Sequence, residues 1–184
     1  MELLATYTLR YDDLRACLLF SAKNDPRVHL QSVMVGRGLV CATNGRIALI
    51  CDEPEANGFE IIIPSAVVKS FIAKVGTKRD LTVGLSKVNK EFWLLHRYDC
   101  YEIFKPIEEK FPDIKRVDMP KPESYESKQF PLFNFDFLMV FHKASAIYLK
   151  IPAPRIYPTS TNGNVYIEIN DRVHGIICPM WSKE

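Results

Sequence analysis

Along this chain the spacing of apolar positions switches between strand-like and helix-like, and the switches fall at turn residues. Leu3–Leu9 alternates and predicts a strand. Asp12 and Asp13 then open a helix, where carboxylates favour the positive end of the dipole. Leu14, Cys17, Leu18 and Ala22 share one face of it, and it is expected to end near Lys23. After the turn Asn24-Asp25-Pro26, Val28–Val35 predicts a strand, and Gly36-Arg37-Gly38 leads into a hairpin. The runs of that hairpin, Leu39–Ala42 and Ile47–Cys51, are apolar almost throughout, so cover is expected on both faces. Asn44-Gly45 between them predicts a type I′ turn, which needs positive φ at both central residues. Arg46 stands at its mouth with a permanent charge and a rigid fork of donors. Such a turn suits the frame of a peptide-sized pocket, or it is simply the polar end of a buried hairpin.

Phe59–Ile63 predicts a short buried strand, and Pro64-Ser65 a helix start. Val68, Phe71, Ile72 and Val75 follow helical spacing until Gly76. The opposite face carries Lys69, Ser70 and Lys74, with Lys78 and Arg79 beyond. A solvated face is the usual meaning of such lysines, and a phosphate-facing one the sharper alternative. Leu81–Ser86, Glu91–His96 and Cys100–Ile107 predict three more strands. The order strand, helix, three strands therefore occurs twice, close to a duplication, with no obvious sequence repeat.

Lys121–Lys128 (KPESYESK) is polar, contains proline and lacks periodicity, so it reads as a linker. Beyond it, Asp136 is expected to cap a third helix with Phe137, Phe141, Ala144 and Tyr148 as its stripe. Arg155–Thr159 and Val165–Ile169 are expected to pair across Thr161-Asn162-Gly163-Asn164, and Val173–Trp181 to end the fold. The expected organisation is a full unit over 1–120, a linker over 121–129 and a half unit over 130–184. Half a unit has too little core to stand alone, so it is expected to pack on the first part or on another chain.

Composition narrows the class. The chain has 184 residues, 47% hydrophobic and 25% charged, which suits a soluble globular protein. No apolar run approaches the roughly 20 residues of a membrane span. The start, MELLATYTLRYDD, lacks a signal peptide's basic and long apolar regions, and a cytoplasmic location is expected. Cys17, Cys41, Cys51, Cys100 and Cys178 are odd in number and scattered, as for reduced thiols. No C-x-x-C and no His pair at metal spacing occurs among His29, His96, His142 and His174, so neither metal nor cofactor is expected. No nucleophile–base arrangement, paired carboxylates or phosphate loop is legible, which argues against an enzyme. A net charge of +2 permits a polyanion partner without demanding one.

Three stretches, in order, resemble the bacterial DNA polymerase sliding clamp, the β subunit. They are Cys41-Ala42-Thr43-Asn44-Gly45-Arg46-Ile47-Ala48, then Phe111-Pro112-Asp113-Ile114-Lys115-Arg116-Val117, and finally Cys178-Pro179-Met180. The family patterns are V-A-T-D-G-H-R-L-A, F-P-D-Y-R-R-V and M-P-M. Phe20-Ser21 with Asn24-Asp25-Pro26-Arg27 resembles the family's first helix end and loop, and Ile63-Pro64 its second helix start. The chain departs from the family in having no His between Gly45 and Arg46 and Cys178 in place of Met, and a clamp without the family's first domain is expected.

The resemblance implies an α+β sliding-clamp fold of duplicated helix-plus-antiparallel-sheet units, followed by a partial second clamp domain. It also implies a peptide pocket walled by Leu30, Thr43, Gly45, Arg46, Ile47, Pro112, Arg116, Val117, Ile176, Cys178, Pro179 and Met180. The expected ligands are polymerase and clamp-loader peptides of the Gln-x-x-Leu-Phe type. Sequence-independent contact with duplex DNA is implied for Asn24, Arg27, His29, Lys69, Lys74 and Lys143. The first function this suggests is a non-enzymatic processivity factor that encircles DNA as a homo-oligomer, with a tetrameric ring suggested by three helices per chain. The alternative is a non-ring clamp-fold module that binds replication proteins or a resident clamp. Gln129-Phe130-Pro131-Leu132-Phe133 itself resembles a clamp-binding peptide, or it is a linker docked at the third helix.

Overall fold

The computed structural model describes residues 3–77, 81–123, 130–158 and 163–180. Lys78, Arg79, the expected linker past Glu123, Gln129, the Thr161-Asn162 turn and Trp181 lie outside the described residues. The chain order is β1 (Ala5–Arg10), α1 (Tyr11–Phe20), β2 (Ser32–Gly36), β3 (Leu39–Thr43) and β4 (Ile47–Asp52). A second set follows as β5 (Glu60–Pro64), α2 (Ser65–Val75), β6 (Thr82–Lys87), β7 (Trp93–Arg97) and β8 (Cys100–Phe104). Then come α3 (Phe135–Tyr148), β9 (Arg155–Tyr157), β10 (Val165–Asn170) and β11 (Val173–Ile177).

The first two sets exchange their leading strands. β5 pairs with β2 and β1 with β6, both antiparallel, so neither set closes its sheet alone. One sheet runs β1-β6-β7-β8 and the other β5-β2-β3-β4-β11-β10-β9. The second sheet is continuous through the pair β4·β11, in register from Ile47↔Ile177 to Cys51↔Val173. The third set is therefore annexed to the first through backbone hydrogen bonds. Gly175 makes that approach possible, because a Cβ there would stand 2.6 Å from the Ala48 carbonyl and 2.3 Å from the Phe141 ring.

Local chemistry moves several element ends. Val28–Leu30 is a 3-10 turn and not the start of a strand. Arg27 O accepts from Leu30 N, Val28 O from Gln31 N, and Ser32 Oγ donates to His29 O, which closes the segment on itself. The two-residue turn with positive φ at both positions is Arg37-Gly38, at +57° and +80°. At the Asn44 turn only Gly45 is left-handed (φ +86°), and the ladder reopens at Thr43↔Ala48, so a four-residue loop replaces the expected type I′ turn. Asn44 acts through its side chain: Oδ1 accepts from Arg46 N and Ile47 N at 2.9 and 3.0 Å. α3 begins at Phe135, and its cap is Asn134, whose side chain accepts from Asp136 N at 2.8 Å; Asp136 lies inside the first turn.

The helices share one side of the sheets. Phe20 of α1 meets Phe141 of α3 edge-on at 4.8 Å, and Tyr11 meets Phe71 of α2 at 6.2 Å. The outer face of the seven-stranded sheet has its own core of Met34, Cys41, Ala48, Ile50, Ile62 and Ile176. The segment 107–121 straps over it. Ile107 N donates to Ile62 O, Phe111 and Ile114 are buried, Asp118 bonds His174 at 2.8 Å, and Lys121 reaches Glu168 at 2.6 Å. Val40, Ala42, Leu49 and Cys51 face the helices while Cys41, Ala48 and Ile50 face the strap, so the continuous apolar runs of the hairpin have cover on both faces.

One buried ion pair fastens the third set to the first helix. Both Asp13 carboxylate oxygens accept from the Arg172 guanidinium at 2.8 Å, and Asp13 is fully buried. Tyr148 Oη donates to Asp13 at 3.0 Å, and Arg172 also donates to Asp52 O. Burial opposes the charge on Arg172, and its bonds to Asp13 outweigh it, so its pKa lies above the ordinary arginine value. Arg172→Ala strands the carboxylate, and we expect a loss of about 3 kcal/mol in urea unfolding. A change under about 0.5 kcal/mol, the range of ordinary surface substitutions, would show that Asp13 finds other solvation.

Candidate functional site

Three distant parts of the chain meet at one end of the β3–β4 hairpin. The turn Thr43–Arg46 is held rigid from within: Thr43 Oγ1 donates to Ile47 O at 2.7 Å and accepts from Gly45 N at 3.0 Å. Cys178 N donates to Arg46 O at 2.9 Å, so the exit of β11 is tied to the same turn. The strap contributes its 3-10 turn, in which Arg116 N and Val117 N bond Asp113 O and Ile114 O.

Between them lies a cavity of about 230 Å³. Leu30, Thr43, Gly45, Arg46, Ile47, Pro112, Val117, Ile176 and Cys178, all expected at the pocket, line it. Arg116, Pro179 and Met180 do not. Arg116 is 84% exposed and pairs loosely with Asp113 at 3.4 Å, so it sits on the rim. Pro179 and Met180 line a neighbouring hollow of about 400 Å³ with Asn134 and Phe137, and Arg46 and Cys178 form the wall shared by the two. The lining also includes Ala48, Asp113, Ile114 and Asn164. Asp113 and Ile114 were legible as part of the strap motif, and Ala48 as part of the hairpin. Asn164, before β10, was legible as part of a turn but not as part of this site.

At 230 Å³ the cavity is smaller than the roughly 300–1,000 Å³ typical of small-molecule sites. Apolar walls with a few fixed polar groups suit side chains of an extended peptide. Burial raises the Cys178 thiol above its usual pKa, opposed by the nearby Arg46 charge, so Cys178 presents a neutral wall.

The residues expected at DNA fall in three places. Arg27 and His29 line the peptide-sized cavity. Arg27 grips Asp25 through Nε and Nη2 at 2.9 and 2.8 Å, which holds that carboxyl down at about 2. His29 bonds Glu109 at 2.7 Å. Lys74 pairs with Glu102 at 2.9 Å and donates to Tyr101 O at 3.0 Å, which engages it with β8. Lys69, Lys143 and Asn24 come together, with Lys23, in a groove of about 530 Å³ between the three helices.

Among the described residues no group of three or more His, Cys, Asp or Glu could hold a metal ion. Every described cysteine is a free thiol. No helix among them is long and apolar enough to cross a membrane.

No family model and no curated protein matches the chain. Solved structures do. A DNA polymerase sliding clamp from Pseudomonas aeruginosa superposes with a TM-score of 0.73 at 14% identity, covering 99% of this chain and 67% of its own. The Bacillus subtilis sliding clamp gives 0.70 at 12% identity, covering 100% and 66%. A DNA polymerase III β subunit from Borrelia burgdorferi, solved in complex with a natural product, gives 0.71 at 14%, covering 98% and 65%. The chain thus has the α+β fold of sliding clamps, with its duplicated helix-and-sheet units, and spans about two thirds of their length.

The turn geometry makes a direct prediction. Asn44→Ala removes the acceptor for two backbone N–H groups at the cavity mouth. We expect a stability loss of about 1 kcal/mol, read by chemical denaturation. No measurable loss would mean that water replaces the side chain.

Proposed function

We propose that this protein is a non-enzymatic, clamp-fold interaction module that captures a short extended peptide in the cavity beside Arg46. The observation that supports this is the convergence of the hairpin turn, the 112–117 strap and the exit of β11 on one apolar cavity. Each stretch contributes a wall, and the turn is held by its own hydrogen bonds before a ligand arrives, which lowers the cost of ordering on binding. The ligand is a Gln-x-x-Leu-Phe type segment of a replication polymerase, a clamp loader or another clamp-binding protein. In this reading residues 1–120 form the full clamp-like unit, 121–129 the connection, and 130–184 the half unit whose last strand completes the pocket. Its place of action is the cytoplasm.

A peptide of this type, titrated calorimetrically, should bind the wild-type chain. Arg46→Ala with Met180→Ala should weaken it at least tenfold, about 1.4 kcal/mol. Both side chains are exposed, so the fold should survive. Undiminished affinity in the double variant would sink this assignment of the site.

A second reading, sequence-independent contact with duplex DNA, is favoured by the groove that Lys23, Lys69 and Lys143 line from the helical side. Encirclement by a closed ring of copies is its largest form. Lys69→Glu with Lys143→Glu should weaken DNA binding at every sequence and reduce the salt slope by about two. Lys74→Glu should do less, since Lys74 is already engaged with Glu102. An unchanged slope in the double variant would remove the helical groove from consideration.

A further inference from the structure

The chain carries Asn-Gly at 44, 57 and 162, the last beginning outside the described residues. An asparagine followed by glycine is chemically self-reactive, because glycine has no Cβ to keep its backbone nitrogen away from the preceding side-chain carbonyl. The fold treats the two described pairs in opposite ways. At Asn44 the groups the reaction needs are held elsewhere. Gly45 N, the nucleophile in such a reaction, donates to Thr43 Oγ1 at 3.0 Å, and Asn44 Oδ1 accepts from Arg46 N and Ile47 N at 2.9 and 3.0 Å. These bonds must break before that nitrogen and the side-chain carbonyl carbon can meet.

At Asn57 the same groups face each other. Gly58 N donates to Asn57 Oδ1 at 2.9 Å, so the nitrogen already stands against the amide it attacks. Among the described residues no other group bonds the Asn57 side chain. Both residues are exposed, and a Cβ built on Gly58 (φ +81°) would meet nothing within 4 Å, so water reaches the pair. The main chain is pinned on either side of it: Gly38 N donates to Ala56 O at 2.8 Å and Arg37 N to Phe59 O at 3.1 Å.

We propose that Asn57-Gly58 is a site of spontaneous deamidation, with water as its co-reactant, and that the folded chain directs the reaction there and away from Asn44. Gly58 N gives its proton to solvent base and bonds to Asn57 Cγ; the Cγ–Nδ2 bond breaks, and that nitrogen takes up a proton and leaves as ammonia. The five-membered imide then adds water at one of its two carbonyls. Opening at Cγ leaves an aspartate in an ordinary chain. Opening at the backbone carbonyl breaks the original peptide bond and leaves an isoaspartate, with the chain rerouted through Cβ and Cγ. In balance, one amide and one water become one carboxylate and one ammonium ion, with no redox change. Either product puts a new negative charge among Asp52, Glu53, Glu55 and Glu60. The isoaspartate also lengthens the main chain by one carbon between the bonds at Ala56 and Phe59. Little slack exists to absorb it, since a Cβ on Gly36 would stand 2.1 Å from Phe59 O. One of the two bonds opens, and with it the grip on the Arg37-Gly38 turn. The site is separate from the Arg46 cavity and stands or falls independently of what binds there.

The test is incubation of the full chain, native and in urea, in mildly alkaline buffer at physiological temperature, followed by tryptic digestion and mass spectrometry. Cleavage after Arg37, Arg46 and Lys69 puts Asn44 in peptide 38–46 and Asn57 in peptide 47–69, so each is read separately. In the native chain peptide 47–69 should exchange NH2 for OH and split into two products of equal mass, while 38–46 stays unchanged; in urea both should convert. The ratio of Asn57 to Asn44 conversion should be at least about tenfold higher in the native chain than in urea, the least that the bonds holding Asn44 imply. Asn57→Gln, whose longer side chain would have to close a six-membered ring, should stop the conversion of 47–69. The isoaspartate form of the chain, separated by anion exchange, should unfold at lower urea than the parent, and an equal midpoint would overturn the loosening of the turn. A native chain in which Asn57 does not convert, or a native ratio equal to that in urea, overturns the site itself.

Discussion

Everything this fold offers a ligand depends on the antiparallel seam between β4 and β11. It brings residues 47 and 177 side by side and makes one seven-stranded sheet of two sequence regions separated by more than a hundred positions. Its chemistry is layered. Backbone hydrogen bonds set the direction, Gly175 removes the side chain that would hold β11 off both Ala48 and Phe141, and the Asp13–Arg172 pair locks the far end to α1. The strap then crosses the outer face, tied at Ile107, Asp118 and Lys121. The cavity beside Arg46 exists only where seam, turn and strap all end together.

How the hairpin reads shows which parts of such a structure are legible in a sequence. Its two continuous apolar runs correctly pointed to burial on both faces, because periodicity reports the environment of a strand directly. The turn chemistry was less direct. Asn-Gly announces a turn, but Asn44 works here as a side-chain acceptor with ordinary φ, and the left-handed pair is Arg37-Gly38, where the sequence shows an unremarkable Arg. Likewise α3 is capped by Asn134 instead of Asp136, since either residue type can cap and only the backbone decides between them.

The site divides along the same line. The walls that belong to short motifs, Thr43–Ile47 and the 112–117 stretch, could be named from the chain. Asn164 could not, because no pattern ties it to a turn more than a hundred residues earlier. The basic residues divide for a related reason: charge is visible in a sequence, but its engagement is not. Arg27 and Lys74 look as available as Lys69 until Asp25 and Glu102 are seen beside them. Asp13 and Arg172, the pair on which the seam relies, are 159 positions apart and carried no joint signal.

Identity near 14% with clamps of the same fold puts a limit on what the likeness carries. At that distance the conserved object is an arrangement of strands and helices, and a pocket must be argued from its own walls. Here the walls are apolar, internally braced and assembled from the hairpin, the strap and the last described strand. A wall built by β11 has a consequence for how the molecule works. Asn164, Ile176 and Cys178 enter the wall from the strands beyond α3, so anything that loosens the β4·β11 seam also loosens the site. The hold of β4 on β11 therefore sets the stability of the cavity as well as that of the sheet.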